Sequence, residues 1–330
     1  MNYTTTPKLE LHLHHEGAAP PKFIAGLARE KNIDISGIFD ADGNYAYQGF
    51  DEFLKVYEAA CEPLQSPQDF YRLTLAILEE CAAHGVIYAE TFMSPDFCGG
   101  GDLAAWREYL AAIEQAASEA ERDMGVTLRG IITCIRHLGP EQAKTAAHCA
   151  AETAGDFIRG FGMGGAEQVG RPADFAYSFD MAREAGLRLT CHAGEWGGAP
   201  MVADTIRDLR VDRIGHGIGA IDDPALVAEI IDKDIMLEVC PGSNVVLGAV
   251  PSWETHPIKR LCDAGVPVTI STDDPPFFHT TMTHEYKMLV KTFGFGPGDF
   301  RALQQTALKH AYCDDETRAR LAKQLDAADE

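Results

Sequence analysis

Short apolar runs recur along the whole chain, separated by longer stretches in which apolar residues return at helical spacing. Eight runs read as strands: residues 8–14 (KLELHLH), 86–93, 127–134, 157–163, 187–192, 213–216, 236–240 and 266–272. Between most of them, helical patterns stop at a glycine: residues 70–84 before Gly85, 104–124 before Gly125, 172–185 before Gly186 and 256–264 before Gly265. Glycine just past a helix is the usual stop signal, because it adopts the left-handed conformation that ends the last turn. Strand–helix alternation repeated eight times predicts an α/β fold, a parallel (β/α)8 TIM barrel. An open doubly wound sheet would instead place a glycine-rich phosphate loop after the first strand, and that strand ends here in histidines. Residues 20–84 are too long for one crossover and predict extra helices over the barrel mouth. Residues 282–327 predict two or three further helices at the C-terminus. No composition break divides the chain, so residues 1–330 read as one barrel domain.

Barrels of this kind carry their chemistry where the strands end at the C-terminal edge. The polar residues at those ends are His12 and His14 after strand 1, His192 and then Glu195 after strand 5, His216 after strand 6, and Asp273 and Asp274 after strand 8. Side chains alternate faces along a strand. If Leu9, Leu11 and Leu13 face the helices, His12 and His14 point into the lumen. By the same alternation His192 and Asp273 point inward, and His15 turns toward a helix or loop. Imidazoles and carboxylates from three strands form a donor set that suits Zn2+. In the long insert, Phe50, Phe53, Leu54 and Tyr57 share one helical face, which reads as core packing or as an apolar lid.

Composition narrows the partners. Lys and Arg number 28 against 50 Asp and Glu, a net charge of −22. Such a surface repels phosphate backbones and anionic membranes, so neither a nucleic-acid nor a membrane partner is expected. Nine cysteines, with no C-x-x-C pair, read as reduced thiols, and no secretory leader or long apolar span is evident. A cytoplasmic location is the expectation. The oligomeric state is not legible.

The segments ELHLHHEG, HAGE, GHG and STDDP, in this order and spacing, resemble the adenosine/adenine deaminases of the amidohydrolase superfamily. GFGMGGAE, IRHLGP and EVCPGSN are similar to segments of the same family. The resemblance spans nearly the whole chain and is closest to the bacterial adenosine enzymes. It implies one Zn2+ per chain, held by His12, His14, His192 and Asp273. Strand 4 has no lysine, the residue that bridges two metals in related hydrolases. It further implies Glu195 as proton donor to purine N1, with His216 and Asp273 as its catalytic partners. Asp274 would meet N7, the Gly165 N–H would approach N3, and the ligand His14 would also border the substrate. Glu16 departs from the aspartate common in the adenosine enzymes, where that residue holds the ribose 5′-hydroxyl. The implied reaction is deamination of adenosine, and of deoxyadenosine, to inosine and ammonia. Adenine, giving hypoxanthine, is the alternative. A different metal-dependent hydrolase and a non-catalytic nucleoside binder are the competing readings, and the second would be expected to lack a ligand.

Overall fold

The computed structural model of the chain describes residues 2–327; the outermost ends of the expected 1–330 span lie outside them. Eight strands follow one another in chain order around the barrel: β1 (Lys8–His14), β2 (Val86–Met93), β3 (Thr127–Ile135), β4 (Ile158–Gly164), β5 (Arg188–Ala193), β6 (Arg213–His216), β7 (Met236–Val239) and β8 (Val268–Ile270). Each pairs in parallel with the next. Leu13 pairs with Asp273 to bring the last strand back to the first, through His14 N–H to Asp273 O at 3.0 Å and Asp273 N–H to His12 O at 3.1 Å. The TIM-barrel expectation therefore holds, and strand bounds agree to within a few residues.

Three helices fill the first connection: α1 (Pro21–Lys31), α2 (Gly49–Cys61) and α3 (Pro67–Ala83). Helix α3 opens with Ser66, whose hydroxyl accepts the Asp69 N–H, followed by Pro67 in the first turn. It packs on β2 and on α4 (Leu103–Met124), as a barrel helix does. The other outer helices are α5 (Gly139–Thr153), α6 (Ala176–Glu184), α7 (Gly198–Leu209), α8 (Pro224–Asp232), the short α9 (Pro241–Val246) and α10 (Ile258–Asp263). After β8 come α11 (Met282–Phe293), α12 (Pro297–His310) and α13 (Asp315–Ala327). Two predicted helices begin late. Residues 172–175 form a single tight turn before α6, and Pro257 holds His256 out of α10. The nine cysteines are free thiols, and no described helix is long and apolar enough to cross a membrane.

The pleat of β1 is not regular. Its register against β2 slips between Glu10 and Leu13, a bulge. Ser271 Oγ accepts both the Leu11 and the His12 N–H there, at 3.2 and 3.1 Å. Leu9 and Leu11 pack with Tyr88 of β2, Met236 of β7, and Ala307 and Leu321 of the C-terminal helices, in a cluster apart from the main one that holds Leu13. Glu10 turns outward and accepts the Thr272 N–H at 2.9 Å. The extra residue restores the inward direction of His12 and His14, so their expected orientation holds although two of the three leucines pack apart from the third.

Candidate active site

At the C-terminal edge the strands bring four predicted residues together. One ligand atom from each of His12, His14, His192 and Asp273 lies within 4.8 Å of the others. The two distal histidine nitrogens are prepared by bonds made elsewhere. His12 Nδ1–H donates to Glu238 Oε2 at 2.7 Å, and His192 Nδ1–H donates to Met163 O at 2.9 Å. Each ring thus directs its Nε2 into the cluster. His12 Nε2 is buried without a hydrogen bond, 3.3 Å from Asp273 Oδ1, and the Nε2 atoms of His14 and His192 stand 3.1 Å apart. Burial opposes charge on His12, yet the Asp273 and Glu238 carboxylates outweigh it and push its pKa up to about 9. Three imidazole nitrogens crowding one carboxylate, in a spot that favours positive charge, fit a divalent cation.

His15 stands apart. It is fully buried, donates from Nε2 to Thr74 Oγ1 at 2.9 Å on α3, and stacks against Phe70. Burial alone pushes its pKa down to about 3, so it is a neutral residue of the barrel wall.

Beside the cluster lie Glu195, His216 and Asp274. His216 Nε2 is 3.8 Å from Glu195 Oε2 and 3.8 Å from Asp273 Oδ2. Burial, reinforced by Asp273 and Glu167, raises the Glu195 pKa to about 8. Asp274 is held well above the usual carboxylate range by burial and by Asp273, and its Oδ1 has no partner. Gly17 makes room for it: a Cβ there would sit 1.6 Å from Asp274 Oδ1. His216 and Asp273 both have positive φ, 59° and 68°, a strained backbone of the kind that collects at functional sites.

A cavity of about 290 Å³ opens from this cluster, lined by Glu16, Glu195, His216, Asp273 and Asp274 among others. Gly165 is on its wall beside His137, whose Nδ1 would lie 2.9 Å from an added Cβ. Phe50, Phe53, Leu54 and Tyr57 of α2 all line the same cavity, so the apolar helix face both packs and covers the site. Glu16 is 3 % exposed with an unpartnered Oε1. Burial raises its pKa to about 7, against hydrogen bonds from Ser94 and Tyr57.

Several residues outside the predicted ligand and catalytic set hold the site in place. Ser243 Oγ donates to Asp273 Oδ2 at 2.7 Å. Asn244 joins Glu195 and His216, and Glu238 orients His12. Glu167 accepts the N–H groups of Gly194 and Trp196, at 2.5 and 2.7 Å, and so fixes the turn that carries Glu195. Arg136 is buried and donates to the carbonyls of Glu167 and His192, at 3.0 and 3.4 Å. All five fall inside segments that resemble the family, which is the one signal that could have marked their support of the site.

The family model for adenosine deaminase matches residues 7–328. The chain belongs to the adenosine deaminase family. An adenine deaminase from Rhizobium johnstonii is 45% identical, the alignment covering 96% of this chain and 98% of that one. The crystal structure of adenine deaminase from Arthrobacter aurescens superposes with a TM-score of 0.90 at 31% identity, over 98% of this chain and 99% of that one. A zinc-bound amidohydrolase from Burkholderia ambifaria follows at a TM-score of 0.86 and 27% identity, covering 99% and 92%. The chain is thus a metal-dependent hydrolase that deaminates a purine. The adenosine expectation gains no support from these relatives, whose names favour the adenine alternative.

Proposed function

We propose that the chain is a zinc-dependent adenine deaminase, converting adenine and water to hypoxanthine and ammonia. Glu16 carries the choice of substrate. Adenine presents an imidazole N–H at the nitrogen where adenosine carries ribose. A buried carboxylate oxygen lacking a partner on the wall of the substrate cavity is matched by such a donor, whereas left alone it is costly. The shorter aspartate common in the adenosine enzymes is absent, and the names of the most similar relatives point the same way.

In this reading His12, His14, His192 and Asp273 hold the zinc. When bound, the ion lowers the pKa of a coordinated water to about 7. Glu195, protonated at neutral pH, gives its proton to N1 as C6 is attacked, which spares the ring an anionic charge. Asp273 accepts the proton of the attacking water, and His216 faces the developing charge. Asp274, protonated in its buried setting, donates to N7, and the Gly165 N–H meets N3. Ammonia leaves from C6. The α2 aromatics keep bulk water from the ring.

The test compares kcat/KM for adenine, adenosine and deoxyadenosine, with Glu16→Asp alongside. Adenine is expected to lead by at least about tenfold, and Glu16→Asp to narrow the gap, as loss of one buried polar match does. A wild-type preference for adenosine would overturn the assignment.

A further inference from the structure

A line of hydrogen bonds runs from the start of α10 to the reacting centre, and every link has one possible direction. Ile258 N–H donates to His256 Nδ1 at 3.1 Å. This is one of the amides that the beginning of a helix leaves without an acceptor of its own, and an amide can only donate. His256 Nδ1 is therefore bare, and the neutral ring carries its proton on Nε2. That nitrogen is 3.2 Å from Asn244, which must turn its Oδ1 toward it. The Asn244 NH2 then faces the opposite way, 3.1 Å from His216 Nδ1 and 3.3 Å from Glu195 Oε1. His216 Nδ1 must accept, which leaves the proton on Nε2, the atom directed at Glu195 and Asp273. Asn244, His216 and His256 are all buried, so solvent does not compete for these bonds.

We propose that His256 and Asn244 are positioning residues that fix the tautomer of His216, so that it presents an Nε2–H donor to the reacting centre. A donor there stabilises negative charge developing on the attacking oxygen. It cannot serve as a base, so the accepting role falls to Asp273. The consequence for turnover rests on the deaminase reading. The tautomer does not.

Ring-nitrogen chemical shifts of 15N-histidine-labelled, zinc-loaded protein read the tautomer directly. The wild type is expected to carry the His216 proton on Nε2. Asn244→Asp, nearly the same shape but acceptor only, is expected to move that proton to Nδ1. It is also expected to lower kcat on the order of 10²-fold, with KM for adenine changed far less, the scale of losing one aimed donor. His256→Gln keeps a donor toward Asn244 and should retain the wild-type tautomer and most of kcat. His256→Leu should give mixed tautomers and lose kcat. A wild-type proton on Nδ1, or an Asn244→Asp spectrum with the proton still on Nε2, overturns the relay. Tautomers that move as expected in protein that deaminates nothing would sink the deaminase reading and leave the relay standing.

Discussion

Glu195→Gln is expected to keep its metal and its fold while kcat falls about 10³-fold, the scale of a lost general acid. Glutamine matches the shape and can still meet Asn244, but it has no proton to give to N1. The carboxyl is set up for this work by burial and by Asp273 and Glu167, which together raise its pKa to about 8. Being an acid whose working form is protonated, it is active below its pKa. The rate should therefore decline as pH rises through that value, and a cation bound beside it draws the decline toward lower pH. In Glu195→Gln the residual rate should lose this alkaline limb. Metal analysis and a pH–rate profile check both points. Near-normal turnover in the variant would remove Glu195 from the role.

Arg213→Met is expected to destabilise the chain by about 3–5 kcal/mol, because it strands two buried carboxylates. Arg213 is fully buried at the base of the lumen, 2.6 Å from Glu90 and 2.6 Å from Glu238, with its guanidinium 3.5 Å over the Tyr312 ring. Its Nη1 also donates to His310 O, at the end of α12. Glu238 in turn holds His12, so the damage should reach the metal. Burial raises the Glu238 pKa, but Arg213 and His12 keep it below the usual value. Without Arg213 the carboxyl takes up a proton more readily and holds the His12 N–H less firmly. Metal affinity should fall roughly 10- to 100-fold, as on loss of other groups that orient a ligand. Denaturant titration and metal competition measure the two effects. Unchanged values in both would show that the ion network beneath the site is dispensable.

The strands, their order and the strand-end residues were legible because each leaves a local mark: a short apolar run, a glycine stop, a polar residue at the edge. Parity was a weaker guide. It assumed an unbroken pleat, and the β1 bulge depends on the Ser271 hydroxyl, some 260 residues away in sequence. Strict alternation therefore turns His12 inward only on a premise that fails at Leu9 and Leu11. The supporting residues left no mark of their own beyond lying in segments that resemble the family. Glu238, Ser243, Asn244 and Glu167 look like ordinary polar positions until the barrel closes and sets them against His12, Asp273, His216 and the turn before Glu195. Glu16 was visible as a departure from the adenosine pattern. Its meaning needed the cavity wall and the unpartnered oxygen.

The most direct measurement is ammonia release from adenine by the purified, zinc-loaded chain. Ammonia and hypoxanthine should form one for one, stop when the zinc is chelated and resume when zinc is restored. No ammonia from adenine under those conditions, whether adenosine is consumed or neither substrate is, would contradict the assignment.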